Sequence, residues 1–485
     1  MRIEEFLARH GLELDPFANA EEAQGDDVLV RLYKNKTFQF GHPEWPKFCG
    51  HPPGNQSSIV FGFKGSGKTA MRLALQEAID RHNQTAPADR TLLVPYDDFN
   101  AVLSNWRSRA QRSVSKRRHD DGDGWDSGGV SFRDHWTLAH HLDAMMAQIT
   151  RALTDGARQT PDPAAWDEHI RYDLLFLASI YLTERTLDYR RAIRSLHSHL
   201  FTPWWRRRAK MRRTTANVAS LGAYPLYRSL HSGAMARRIR RLVHVVEHDT
   251  SLLRWALNHI PPRYLDAQPL LGDGVDPVNE SARFETLEKL LRIARAAGFA
   301  RVAVVIDKVD EPTMVSGDYE RMADFVLPLW NNKVLQTSGI HLKMLLPAQL
   351  YERIRKGDTR LLNTARLDKA NIIYPLTWSG EHLYEMLSER AAACLKTSAG
   401  ATFELHQLFD SGVTRDLLIQ ELAKMKLPRH ASKFIHRCLC EAASSILPGD
   451  VGEDELPTVP SRVFYRISER FEAEMEQYTR DMQEF

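Results

Sequence analysis

The stretch that decides the fold is SSIVFGFKGSGKTAMRLALQEAI, residues 57–79. It begins with a short apolar run, Ile59 to Phe61, which has the composition of a buried strand. A glycine-rich loop follows, and then a segment whose apolar residues recur with helical spacing. The pattern predicts a strand, a tight loop and a helix in immediate succession.

The loop in this stretch, Gly62 to Thr69, fits the pattern GxxxxGK(S/T) in full. Successive backbone N–H groups in such a loop form a concave anion site, and the following helix points its positive end there. In this pattern Lys68 would reach the β- and γ-phosphates of a nucleotide, and the Thr69 hydroxyl would ligate Mg²⁺. The residues predicted to contact the nucleotide are Gly62, Lys64, Gly65, Ser66, Gly67, Lys68, Thr69 and Ala70.

A second segment, RVAVVIDKVDE at residues 301–311, places acids at the end of an apolar run. The run is rich in β-branched residues, which favours a central parallel strand. We predict that Asp307 holds Mg²⁺ and that Glu311 or Asp310 activates the attacking water. A core strand followed by a solvated acidic turn is the alternative. The segment also resembles the guanine-reading NKxD motif, but it begins with Asp instead of Asn, so ATP is favoured over GTP.

Five strand candidates with helical patterns between them predict an α/β fold, in which helices flank a parallel sheet. The candidates are residues 59–61, 92–94, 302–306, 342–346 and 372–376. The predicted divisions are an N-terminal segment at 1–55, an ATPase core at 56–104 and 286–378, a large helical basic insertion at 105–285, a helical C-terminal lid at 379–448 and an amphipathic helical tail at 449–485.

The composition bounds the class of protein. Of the 485 residues, 43% are hydrophobic and 26% are charged, as in ordinary globular proteins. No apolar run has the length of a membrane-spanning helix, and the N-terminal residues lack the apolar centre of a secretory signal. The four cysteines form no disulfide or zinc pattern, so we expect a cytoplasmic protein.

Charge is distributed unevenly along the chain. Residues 190–246 contain 14 Lys and Arg residues and no Asp or Glu. Basic residues beside aromatic ones are typical of nucleic-acid binding, but they also suit an acidic protein surface, a solvated helical face or, less well, a membrane surface. The candidate partner-binding residues are Trp204, Trp205, Arg206, Arg207, Arg208, Lys210, Arg212 and Arg213.

The two motifs together resemble the AAA+ and STAND side of the P-loop ATPases, and most of all a poorly characterised bacterial family that pairs them. LDPFANAEEA at 14–23 resembles an element that precedes the ATPase core of that family. PLTWSGEHLYEMLSER at 375–390 resembles its strand-to-lid junction. LPRHASKFIHRCL at 427–439 resembles a lid helix with a sensor arginine, here Arg429.

The resemblance implies an ATP-hydrolysing switch that forms homo-oligomers and acts with a protein effector in prokaryotic anti-phage defence. Arg429 would sense the γ-phosphate. Lys308 is larger than the residue that STAND relatives favour after the first acid, so we expect slow hydrolysis. Two alternatives stay open: a nucleic-acid-handling ATPase that uses the basic insertion, and a nucleotide-bound scaffold without turnover.

Overall fold

A computed structural model describes a large part of the chain: residues 1–18, 23–34, 40–100, 102–104, 136–159, 165–181, 200, 280–357, 371–396, 402–447, 452 and 455–483. The candidate partner-binding residues at 204–213 lie outside the described residues, as does most of the segment 105–285. The predictions made for them stay predictions.

Five strands form a sheet in the order β2-β3-β4-β1-β5, and every strand is parallel to its neighbours. The strands are β1 Ser58–Gly62, β2 Arg90–Tyr96, β3 Phe299–Ile306, β4 Ile340–Pro347 and β5 Asn371–Ile373. The predicted α/β class with a parallel sheet is confirmed. The last strand is shorter than predicted and ends two residues before Pro375, which has no N–H group to donate to a ladder.

Helices flank this sheet, as predicted, and none in the described part of the chain is long and apolar enough to cross a membrane. In chain order they are α1 Ile3–Arg9, α2 Asp27–Lys34, α3 Trp45–Cys49, α4 Lys68–Thr85, α5 Leu138–Gln159, α6 Glu168–Tyr181, α7 Glu280–Ala296, α8 Tyr319–Val326, α9 Asn332–Gln336, α10 Ala348–Gly357, α11 Gly380–Ala392, α12 Arg415–Met425, α13 Pro428–Ser445 and α14 Ser461–Gln483.

The central strands are apolar at successive positions because helices cover both faces of the sheet. In β1, Val60 packs in a cluster that includes Met71 and Leu75 of α4. Its neighbours Ile59 and Phe61 point to the opposite face, where they belong to the cluster that includes α5 and α7. Side chains alternate between the faces along a strand, so each face needs its own apolar layer.

Helices α5, α6 and α7 pack together on this second face. Asp143 of α5 connects the other two helices. Its Oδ1 accepts a hydrogen bond from the hydroxyl of Tyr181, the last residue of α6, at 3.5 Å. Its Oδ2 accepts from Arg283, near the start of α7, at 2.8 and 3.0 Å. The described helices between β2 and β3 therefore belong to the same core as the sheet.

A second hydrophobic core joins the two ends of the chain. Apolar residues of α1 and α2 pack there with residues of α11 to α14. Arg390 of α11 forms a buried ion pair with Asp26 at 2.8 Å. His436 Nδ1 of α13 lies 3.0 Å from the Asp15 carboxylate. The described residues of the segments 1–34 and 378–471, distant in sequence, thus contribute to one core.

The C-terminal helix is amphipathic, as its sequence pattern predicts. Phe464, Ile467 and Phe471 of α14 are all buried in this second core. The acidic residue Glu474 lies on the outer side of the helix and pairs with Arg437 of α13 at 2.6 Å.

Candidate functional site

The glycine-rich loop, residues 63–67, turns sharply between β1 and α4. Gly65 and Gly67 have φ angles of +88° and +93°, in the left-handed region that favours glycine. A Cβ on Gly65 would also lie 2.9 Å from Arg429 Cβ, and a Cβ on Gly62 would lie 2.3 Å from Ser66 Oγ. The loop therefore depends on glycine both for its backbone angles and for its close packing.

The N-terminus of α4 faces a cavity. Its N-cap is Gly67, which has no side chain to accept from the first N–H groups of the helix. The N–H groups of Gly65 and Lys68 donate to no backbone acceptor among the described residues. Together with the positive end of the helix dipole, these groups form a site suited to an anion.

Lys68, the first residue of α4, folds back over the loop. Its Nζ donates to the carbonyl oxygens of Gly62 at 2.7 Å and Phe63 at 3.1 Å. Burial lowers its pKa, and the nearby carboxylates of Asp310 and Asp307 oppose that effect. A bound phosphate would offer this charge a stronger partner than neutral carbonyl groups do.

Thr69 and Asp307 meet although their strands are not neighbours, since β4 lies between β1 and β3. Thr69 Oγ1 donates to Asp307 Oδ2 at 3.3 Å. Asp307 is only 2% exposed, and this burial raises its pKa, while Arg72 acts in the opposite direction. A hydroxyl and a carboxylate this close can ligate one Mg²⁺ ion if phosphate and water supply the remaining oxygens. The residues present therefore fit the ion that the motifs imply.

Arg72 is the site residue that the sequence analysis missed. Its Nε lies 3.3 Å from Asp307 Oδ2, and its Nη1 donates to Asp97 Oδ2 at 2.8 Å. It therefore links the carboxylates that follow β2 and β3. Arg72 comes three residues after Thr69, so both side chains lie on the same face of α4. This spacing is the sequence pattern from which Arg72 could have been predicted.

The acids after Asp307 lie on the rim of the cavity. Lys308 has a left-handed φ of 62° and donates its N–H to Asp307 Oδ1 at 3.0 Å, which orients that carboxylate. The Lys308 ammonium lies 3.5 Å from Glu311, whose side chain is 61% exposed. Asp310 is also exposed and close enough for its charge to act on Lys68. Both acids face the cavity, but neither is enclosed.

The cavity has a volume of about 240 Å³ and extends from the loop to α2 and α11. Most of the predicted site residues line it, and they are Lys64, Gly65, Gly67, Lys68, Thr69, Ala70, Asp307, Asp310, Glu311 and Arg429. Gly62 and Ser66 do not line it, and both are buried. Ser66 is fully buried, and its Oγ has no hydrogen-bond partner in the described part of the chain.

Three contacts attach the surrounding helices to the loop and to α4. Trp378 Nε1 donates to the carbonyl oxygen of Ser66 at 2.9 Å. The backbone N–H of Arg429 donates to the carbonyl oxygen of Gly65 at 3.4 Å. The Tyr33 hydroxyl of α2 donates to Ala70 O at 2.8 Å. The cavity is therefore bounded by both ends of the chain as well as by the sheet.

No protein-family model matches this chain, and comparisons with curated proteins and with solved structures found no similar protein. An assignment of this site therefore rests on its motifs and on its geometry.

Proposed function

We propose that this chain is an ATP-binding and hydrolysing switch of the AAA+ or STAND type, in which residues 62–69 form a P-loop. The observation that carries the proposal is the 3.3 Å contact between Thr69 Oγ1 and Asp307 Oδ2. It lies beside a loop whose glycines leave N–H groups available to an anion. A sequence motif for phosphate and a sequence motif for metal thus meet at one point of the fold.

Each residue then has a role that its position supports. The loop N–H groups and Lys68 would hold the phosphates, and Arg429, whose backbone contacts Gly65, would sense the γ-phosphate. Magnesium, when bound, would offset negative charge on the phosphates. Asp310 or Glu311 would accept a proton from the attacking water, in keeping with their place on the cavity rim.

The pairing of Glu311 with Lys308 supports slow hydrolysis. In this arrangement the Glu311 carboxylate is 3.5 Å from an ammonium group and is exposed to solvent. To act as a base it would have to leave that partner and turn towards the phosphates. The same observation favours a second candidate, a nucleotide-bound scaffold in which ATP stabilises an assembly interface without turnover.

The wider biological role belongs to the proposal as well. Homo-oligomerisation, a protein effector, anti-phage defence and a cytoplasmic location follow from the resemblance and the composition. A nucleic-acid partner for residues 190–246 rests on their charge, because that stretch lies outside the described residues apart from Leu200.

The test is to measure binding and turnover of Mg²⁺–ATP by the purified full chain. Lys68→Ala should weaken ATP binding by about a hundredfold or more, because it removes the charged phosphate contact. Glu311→Gln should bind ATP normally but turn it over about 10²-fold more slowly. Lys396→Ala, which changes an exposed lysine outside the cavity, is the matched control.

The outcomes separate the candidates. A wild-type chain that binds no ATP would refute the nucleotide site. Tight binding with ATP still intact after hours would favour the scaffold. Equal turnover by the wild type and Glu311→Gln would remove Glu311 from its role, and Asp310→Asn would then be the variant to measure.

A further inference from the structure

Two carboxylates follow neighbouring strands beside the phosphate loop, and an inference about them rests on the proposed function. Strands β2 and β3 pair in register up to their last residues, Tyr96 and Ile306. Asp97 and Asp307 come next, so they leave the sheet side by side. Their side chains are only 26% and 3% exposed. A carboxylate withdrawn from water in this way needs a positive partner or several hydrogen-bond donors.

The guanidinium of Arg72 supplies positive charge to both acids at once. Its Nη1 donates to Asp97 Oδ2 at 2.8 Å, whereas its Nε lies 3.3 Å from Asp307 Oδ2. This Nε is buried and makes no hydrogen bond with any residue that the structure describes. Arg72 is therefore hydrogen-bonded to Asp97 but attracted to Asp307 by charge. The contact with Asp307 is the weaker of the two and the easier one to give up.

Arg72 approaches Asp307 from outside the cavity. Thr69 and Asp307 line the cavity, whereas Arg72 and Asp97 do not. The oxygen that Arg72 approaches, Asp307 Oδ2, is also the one that accepts from Thr69 Oγ1 at 3.3 Å. A divalent cation held by Thr69 and Asp307 would repel the guanidinium, because both carry positive charge close to one carboxylate.

We propose that Arg72 is a positioning residue that competes with Mg²⁺ for Asp307. It holds the Asp307 carboxylate before the metal binds, and it shifts its charge onto Asp97 when Mg²⁺ and nucleotide bind. Asp307 then has a positive partner in both states, so no buried carboxylate is left unpaired in either. Asp97 thereby sets the metal affinity of the site although it does not line the cavity.

The experiment measures binding of a non-hydrolysable ATP analogue by calorimetry, once with Mg²⁺ and once with a chelator. The ratio of the two affinities reports the contribution of the metal, and the affinity of Mg²⁺ for the analogue in solution cancels between variants. Arg72→Gln removes the competing charge, so this ratio should rise about tenfold. Asp97→Asn removes the charge onto which Arg72 would shift, so the ratio should fall by a similar factor.

The double variant separates this mechanism from the independent effects of two charges. If Asp97 acts through Arg72, adding Asp97→Asn to Arg72→Gln should change nothing further, and the ratio should stay about tenfold above that of the wild type. Independent charges would instead have opposite effects that cancel. A double variant with the wild-type ratio would therefore overturn the inference.

Two controls test whether charge is the cause. Arg72→Lys keeps the positive charge at the same position of α4, so its ratio should lie within about threefold of the wild-type value. Asp98→Asn removes an exposed acid next to Asp97 that does not line the cavity, and it should leave the ratio unchanged. A rise in Arg72→Lys as large as that in Arg72→Gln would contradict the competition.

The inference stays testable if Arg72→Gln does not fold. Asp97→Asn keeps a side-chain oxygen that can accept from Arg72, so this variant should fold, and a wild-type ratio in it would overturn the inference by itself.

The failure of this inference is distinguishable from the failure of the proposed function. If the wild type binds the analogue but Arg72→Gln leaves the ratio unchanged or lowers it, Arg72 does not compete with the metal, and the nucleotide site stands. If the wild type binds no analogue with or without Mg²⁺, the proposed function itself is refuted.

Discussion

The two ends of the cavity are built in different ways. At the loop end, most lining residues come from the two short stretches that carry the motifs, residues 64–70 and 307–311. At the remote end, the walls come from α2 near the N-terminus and α11 near the C-terminus. The sheet supports the first end, whereas helix–helix packing supports the second. A local motif can therefore specify where an anion lies, but it cannot specify what encloses the rest of a ligand.

The two ends of the cavity should also differ in the free energy of local opening. Opening of a protein begins where few long-range contacts would be lost, and strands in the centre of a sheet open last. The remote end is held by helix packing in the second hydrophobic core and by the buried Asp26–Arg390 pair, and no strand of the sheet contributes to it. We therefore expect it to open at a lower free energy than the loop end, and the variants below test this contrast.

The largest loss of stability is expected from Asp26→Asn. It removes a charge and leaves Arg390 buried without its ionic partner, which costs about 3–5 kcal/mol of stability. The asparagine oxygen can still accept from the N–H groups of Val28 and Leu29, which Asp26 Oδ1 bonds at 3.0 and 3.3 Å. Hydrogen exchange should show lost protection in α2 and α11 but not in β1 and β3.

The control for this variant is Asp27→Asn, which changes an exposed acid at the next position. A loss of protection spread evenly over the sheet and the helices would contradict the contrast between the two ends.

The second-largest loss of stability is expected from a substitution in the glycine-rich loop. Gly65→Ala places a side chain at a φ of +88° and 2.9 Å from Arg429 Cβ, so strain and crowding should cost about 2–4 kcal/mol together. Gly317→Ala is the matched control, because its φ is +77° but nothing lies within 4 Å of the new Cβ. The difference between their free energies of unfolding isolates the crowding against Arg429. Equal losses of stability in the two variants would mean that α13 can be displaced from the loop without a cost in free energy.

A smaller effect is expected where the C-terminal helices meet the loop. Trp378→Phe removes the indole N–H that donates to Ser66 O at 2.9 Å. Trp330→Phe removes a similar volume from a buried tryptophan whose Nε1 has no hydrogen-bond partner among the described residues. The first variant should therefore lose about 1 kcal/mol more stability than the second in urea unfolding. Indistinguishable losses would show that this hydrogen bond contributes nothing net.

The smallest effect depends on pH. The Asp15 carboxylate, which can accept a hydrogen bond from His436 Nδ1, raises the pKa of His436 above its usual value of 6.5. The pair therefore stabilises the fold below pH 6.5, and this stabilisation is lost as the pH rises through the folded-state pKa. Because both side chains are partly exposed, the contribution should stay below about 1 kcal/mol. The stability difference between the wild type and Asp15→Asn should be larger at pH 5.5 than at pH 8.5, and a constant difference would exclude this pair as its source.

Much of the sheet and of the loop end was predictable from the sequence for physical reasons. Strands β1 and β3 are covered on both faces, so almost every position is apolar and the runs are easy to recognise. The carboxyl ends of parallel strands lie at the same edge, which is why Thr69 and Asp307 were expected to meet. Arg72 escaped notice because within a helix it resembles an ordinary surface residue.

The remote end was not predictable in the same way. Asp26 and Arg390 are 364 positions apart in the sequence, and neither belongs to a motif that predicts contact with the other. Partners that meet only through tertiary packing leave no local pattern to recognise.

The three hydrogen bonds that converge on Asp143 have a consequence for how this protein can vary. Tyr181 and Arg283 both reach that carboxylate, so the chain leaves α6 and begins α7 from neighbouring positions. The entropy of closing a loop grows slowly, by about 0.6 kcal/mol for each doubling of its length. Changes in the length of the chain between these residues should therefore cost little closure entropy, as long as Leu200, which is buried in the same core, is kept.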